Sequence, residues 1–117
     1  MILIKENLKN GSGFDTLHTF EGWKVAFITY GTQYDELKVL KRHTQTDEIF
    51  VLMNGTATLY TADGDEPLQT TVLEKEKLYV VQKNTWHHLK VSQHALIIVV
   101  ENSNTSKENT ESRTVNK

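Results

Sequence analysis

Two histidines and one glutamate are the residues whose types and spacing could do chemistry. His43 is followed, five residues on, by Glu48, and His87 sits in a later Trp86-His87-His88 run. A tight connection between His43 and Glu48 lets both point into one interior, and the Lys83-Asn84-Thr85 turn can aim His87 toward it. Glu48 heads the apolar run Ile49-Phe50-Val51-Leu52-Met53. A buried, unpaired carboxylate there would be very costly. A metal ion, a cationic neighbour or a raised pKa would each account for it. There is no nucleophile with a base at recognisable spacing, no phosphate-cradling glycine loop and no nucleic-acid motif.

The elements that must position these groups read as strands. Trp23 to Tyr30 alternates, with Trp23, Val25 and Phe27 on one face and Ala26, Ile28 and Tyr30 on the other. Glu36 to Lys41 alternates again, and Thr44-Gln45-Thr46-Asp47 reads as a short connection. Glu48 to Met53 is apolar on both faces apart from Glu48. A strand of that kind is covered on both sides. One cover is the barrel interior, the other a second layer or a partner subunit, so a homodimer is expected. Asn54-Gly55 and Asp63-Gly64 predict hairpin turns. Thr56 to Thr61, Leu68 to Leu73, Leu78 to Val81, His87 to Val91 and Ala95 to Glu101 complete the strands, a rhythm of sandwiches and barrels. Ile2 to Leu8 reads as a first strand or an arm, ended by the break Asn10-Gly11-Ser12-Gly13.

At 117 residues the expectation is one domain over 1–101, followed by a polar, extended or mobile tail over 102–117. A net charge of −2 gives no electrostatic case for nucleic acid or an anionic membrane surface. The Met1-Ile2-Leu3-Ile4 run is too short for a signal peptide, and no apolar stretch is long enough to span a bilayer. With no cysteine in the chain, the expected setting is the cytoplasm.

The spacing of His43, Glu48 and Gly55 resembles the second half of the first cupin motif, G-x5-H-x-H-x(3,4)-E-x6-G. The run Val80-Val81-Gln82-Lys83-Asn84-Thr85-Trp86-His87 resembles the second motif, whose core is P-x-G-x-x-H. The resemblance extends from about Trp23 to Glu101 and implies an all-β fold, the cupin jelly roll or double-stranded β-helix barrel, often dimeric. It places His43, Glu48 and His87 on three of the family's four metal-ligand positions, with Lys41 on the fourth. An ammonium is no ligand at neutral pH. Gln82 and Asn84 replace the motif's proline and glycine, and Glu76 stands where the family has another glycine; asparagine is the next-best residue for a left-handed turn.

Two histidines and a carboxylate suit iron, manganese, nickel or zinc, with positions left open for substrate. The resemblance implies a divalent metal, no organic cofactor and a small polar metabolite of the sugar or organic-acid class. An enzyme of this kind would be a metal-dependent isomerase, epimerase or oxygenase. The other reading is a metal-free binding or sensing module with Lys41 paired to Glu48. Lys41, Phe50 and Trp86 are the candidates to touch a bound molecule, although an indole in Trp86's place more often covers hydrophobic surface. His88 is expected to face away from His87, and Arg42 to be exposed.

Overall fold

A computed structural model describes residues 1–6, 8 and 12–115. Among these the alternating segments form ten strands: β1 (Phe14–Phe20), β2 (Trp23–Ile28), β3 (Val39–His43), β4 (Glu48–Asn54), β5 (Ala57–Ala62), β6 (Gln69–Val72), β7 (Leu78–Val81), β8 (Trp86–Val91), β9 (Leu96–Asn102) and β10 (Thr110–Thr114). They make two five-stranded sheets, ordered β1-β2-β9-β4-β7 and β10-β3-β8-β5-β6, and the pairings are antiparallel. This is the double-sheet barrel expected from the sequence.

The inward residues divide along the barrel. Ala26, Ile28, Phe50, Leu52, Ile97 and Val99 of the first sheet meet Ala57, Leu59, Leu89 and Val91 of the second in one apolar core. Each large side chain buried there contributes about 1.5–3 kcal/mol. On β4, β8 and β9 the same inward face carries one polar residue at the opposite end: Glu48, His87 and Glu101. One end of the barrel is therefore filled by hydrocarbon and the other is left open to polar groups.

Asn54-Gly55 does not make a hairpin. β4 pairs with β7 and β9, whereas β5 pairs with β6 and β8, so the chain changes sheets at this dipeptide. Only Gly55 takes positive φ (72°), and a Cβ there would come within 2.7 Å of Ala95 Cα. Asn54 continues the strand and donates from Nδ2 to the His94 carbonyl at 2.9 Å. The Asp63-Gly64 turn does join a paired hairpin, β5 to β6. Asn84 (φ 68°) and Glu76 (φ 69°) adopt the left-handed conformation for which the family motif uses glycine.

Both ends of the chain hold strands that composition did not reveal. β1 pairs with β2 along its length, with a bulge between Thr16 and His18. β10 pairs with β3 from Thr110 opposite His43 to Thr114 opposite Val39. An edge strand draws its stability from backbone hydrogen bonds on one side and can carry polar side chains throughout, so composition misleads there. The strand expected over Glu36 to Lys41 starts later, after a 3-10 turn at Thr32–Tyr34. Residues 1–6 have no regular structure and are exposed. The expectations for Asn7, Asn10, Gly11, Asn116 and Lys117 fall outside the described residues. No helix among the described residues is long and apolar enough to cross a membrane.

Candidate metal centre

β3 meets β8 with Lys41 opposite His87. His43, two residues along on the same face, stands beside it, and the two imidazole centroids are 5.2 Å apart. The connection 44–47 then carries the chain across to the other sheet, so Glu48 arrives from the facing wall as the first residue of β4. Its Oε1 lies 3.4 Å from His43 Nε2 and 3.1 Å from His87 Nε2. The three residues offer one ligand atom each, all within 4.8 Å of one another. A cation about 2.0–2.2 Å from each donor spaces neighbouring donors by roughly 3.0 Å in an octahedral shell and roughly 3.4 Å in a tetrahedral one. Both contacts to Glu48 fall in that interval, so the group could hold a divalent ion.

The other imidazole nitrogens are also engaged. His87 Nδ1 is 3.1 Å from the Thr85 carbonyl, which can only accept, so Nδ1 carries a proton. With Glu48 at Nε2, His87 faces an acceptor on each side, which favours its protonated form. A metal at Nε2 would take that proton's place. His43 Nδ1 lies 2.9 Å from Thr110 Oγ1 on β10. Such outer partners fix ring orientation and are a usual feature of histidine metal ligands.

Burial alone would push the Glu48 carboxyl up, but hydrogen bonds from His43 and His87, reinforced by their charge, hold it down at about 2. For His87 burial favours the neutral ring, and the Glu48 contact overcomes it, so its pKa is raised. Glu101 behaves oppositely. In the antiparallel register Ile49 faces Val100, so Glu101 is the cross-strand neighbour of Glu48. It is buried, and its Oε2 has no hydrogen-bond partner among the described residues. Burial, followed by the negative charge of Glu48, pushes its carboxyl up. Tyr34 lies on the same cavity wall, and burial with the Glu48 charge pushes its phenol up to about 12, so it remains a proton donor.

These groups open into a cavity of about 1200 Å³. Phe50 and the triad line it together with Lys24, Lys41, Thr105, Ser106, Lys107 and Ser112. Much of that wall comes from the polar C-terminal stretch, which thus belongs to the barrel. The structure brings His43, Glu48 and His87 together and leaves Lys41 apart. The Lys41 side chain is exposed, and no ion pair joins it to Glu48 among the described residues. Phe50, 2% exposed, packs 6.5 Å from the His87 ring.

Trp86 is not among the residues that line this cavity. Strand alternation turns it to the outer face, where it packs with Leu40 and Ala62 under the guanidinium groups of Arg42 (4.5 Å) and Arg113 (4.8 Å). Arg42 is correspondingly half-buried and bonded to Glu111. His88 also faces outward, near Tyr60. Glu101 and Thr110 were missed. Glu101 had a signal, because it closes the apolar run Leu96-Ile97-Ile98-Val99-Val100 just as Glu48 opens one. Thr110, in a uniformly polar segment, had none.

No protein-family model and no curated protein sequence matches the chain. Solved structures do. A variant of Streptomyces PAC13 with uridine aligns at a TM-score of 0.63 and 12% identity, over 92% of this chain and 82% of that one. The TDP-fucose-3,4-ketoisomerase WlaRA from Campylobacter jejuni gives 0.62 and 17%, over 86% and 85%. A cupin-2 domain-containing protein from Shewanella frigidimarina gives 0.56 and 22%, over 80% and 83%. At these identities the likeness establishes the fold alone: the chain has the cupin-type jelly-roll fold of these neighbours, with a His-Glu-His cluster that could hold a metal.

Proposed function

We propose that this cupin barrel binds a divalent metal through His43, Glu48 and His87 and holds a small polar metabolite, of the sugar or organic-acid class, in the cavity above it. The observation that carries the proposal is the convergence of three ligand atoms from two facing sheets within 4.8 Å. A bound ion would supply Lewis-acid polarisation of a carbonyl, carboxylate or hydroxyl oxygen. The chain's own groups do the rest. Thr85 and Thr110 keep the imidazoles oriented, the Tyr34 phenol offers a hydrogen bond, and Phe50 gives an apolar floor. Lys24 and Lys41 on the wall favour an anionic substituent. Structural neighbours with uridine or acting on a TDP-sugar support the sugar class, and an isomerase or epimerase is the enzymatic form of this reading. A cytoplasmic setting, supported by the absence of cysteine, belongs to the same proposal.

A second reading is a metal-free binding module. One observation favours it: the two histidines already satisfy Glu48 without an ion. Elemental mass spectrometry on tag-free protein, after incubation with iron, manganese, nickel or zinc, separates the two. The expected result is about one metal per chain in the parent and none in His87→Ala. A metal-free parent under every condition would overturn the metal reading and leave the binding module.

A further inference from the structure

Four carboxylates and four lysines line the cavity, and most of them are matched within the chain. Glu48 is held by two histidines, Glu36 pairs with Lys38 at 2.8 Å, and Asp35 accepts from the Tyr30 hydroxyl at 2.9 Å. Lys24 faces Glu101 in the β2–β9 register and acts on it through its charge. Its Nζ also donates to the Thr105 carbonyl at 3.3 Å. Lys41 and Lys107 are left over: neither makes a hydrogen bond or ion pair among the described residues.

Of these two, Lys41 stands beside the triad. It is directly opposite His87 of β8 on one side and Ser112 of β10 on the other, with His43 two residues along its own strand. Directly opposed side chains start about 4.5–5.5 Å apart, and positions two apart on one strand about 6.6 Å. Thr110 is engaged by His43, so the Ser112 hydroxyl is the polar group left next to the exposed lysine. An ammonium with a hydroxyl donor beside it is a receptor for the paired oxygens of an anion. Its place in the register limits what that anion can belong to. A group held there lies next to the space in front of the two imidazoles. A carboxylate with an oxygen on the adjacent carbon reaches Lys41 and the triad together. A nucleotide diphosphate, whose charge is several bonds away from the oxygens of its sugar ring, does not.

We propose that Lys41 and Ser112 form a carboxylate subsite beside the triad, and that the ligand is a 2-hydroxy or 2-oxo carboxylic acid whose 2-oxygen turns toward His43, Glu48 and His87. This inference rests on the proposed metal and metabolite binding, and narrows the ligand from the sugar or organic-acid class to the acid. The acid end alone defines the class, because a cavity of about 1200 Å³ leaves room for a longer substituent on the second carbon.

The test is isothermal titration calorimetry of the full chain with glycolate up to about 50 mM, with metal content measured on the same samples. The parent should bind glycolate with a Kd of about 10 mM or tighter. Lys41→Met should weaken binding at least about 10-fold and Ser112→Ala about threefold, with metal content no lower than the parent's. Ethylene glycol, which keeps a hydroxyl and lacks the charge, should bind to none of the three. Glycolate bound equally by the parent and Lys41→Met, or not bound by the parent, overturns the proposal. Inorganic phosphate binding more tightly than glycolate overturns the carboxylate assignment, and a Ser112→Ala variant identical to the parent removes the hydroxyl from the subsite. Metal content reads the metal centre separately. In a metal-free parent, glycolate binding that needs Lys41 still upholds the subsite, and binding that ignores Lys41 overturns it.

Discussion

Glu48 and Glu101 are the same residue type, neighbours across β4 and β9, both buried on one cavity wall. Their fates are opposite. Two imidazoles reach Glu48 and hold it ionised, whereas burial and the charge of Glu48 itself drive Glu101 toward its neutral form. The difference lies in what the second sheet presents to each. β3 and β8 aim histidines that hydrogen-bond the end of β4, whereas Glu101 at the end of β9 feels His43 and its cross-strand neighbour Lys24 through their charge. A pair of carboxylates thus becomes one anionic anchor and one acid with a free oxygen, which is how environment divides roles between identical groups.

The largest expected effect comes from exchanging the pair's chemistry one member at a time. Glu48→Gln should weaken metal binding by at least about 100-fold in a chelator competition, whereas Glu101→Gln should leave it within about threefold. Equal losses would erase the distinction between anchor and acid. Next in size is Thr110→Val, which takes the hydroxyl from His43 Nδ1. Loss of an outer partner of this kind costs about 10–100-fold in affinity, read in the same titration.

The smallest effects are in the pH dependence of Tm. The Glu48 carboxyl is held at about 2 in the folded protein, below its ordinary 4.5, by the two histidines. That stabilisation is present above pH 4.5 and is lost as pH falls toward 2. The His87 pKa is raised, so its contribution is complete below pH 6.5 and fades as pH rises through the folded value. Metal-free protein should therefore lose Tm on the alkaline side. With saturating metal the trend reverses, because the ion competes with the Nε2 proton. Glu101, also raised, adds to the alkaline loss, and Glu101→Gln should flatten the metal-free profile above pH 4.5. A profile unchanged by that substitution would show Glu101 to be ionised and solvated like a surface carboxylate.

The barrel and its triad were legible because period-two alternation and motif spacing are local properties, and they survive folding unchanged. Glu48 at the head of an apolar strand signalled its own environment. What failed to show depended on other parts of the chain. Asn54-Gly55 has the composition of a hairpin and is drawn instead into a crossing between sheets by the pairings of β4 and β5. Trp86 was placed beside His87 by sequence and on the opposite face by alternation, where two arginines from β3 and β10 enclose it. β10 had no apolar pattern at all, since it is held through its backbone to β3.

The bond between His43 and Thr110 spans 67 residues. At a synthesis rate of about 5–20 residues per second, roughly 3–13 s separate the emergence of the histidine from that of the hydroxyl that orients it. Throughout that interval β3 has no β10 beside it, and an unpaired strand edge is a template for pairing with other chains. The nascent protein thus carries an open seam beside its future cavity, and the arrival of residues 110–114 closes the seam and completes the histidine's support in a single docking step.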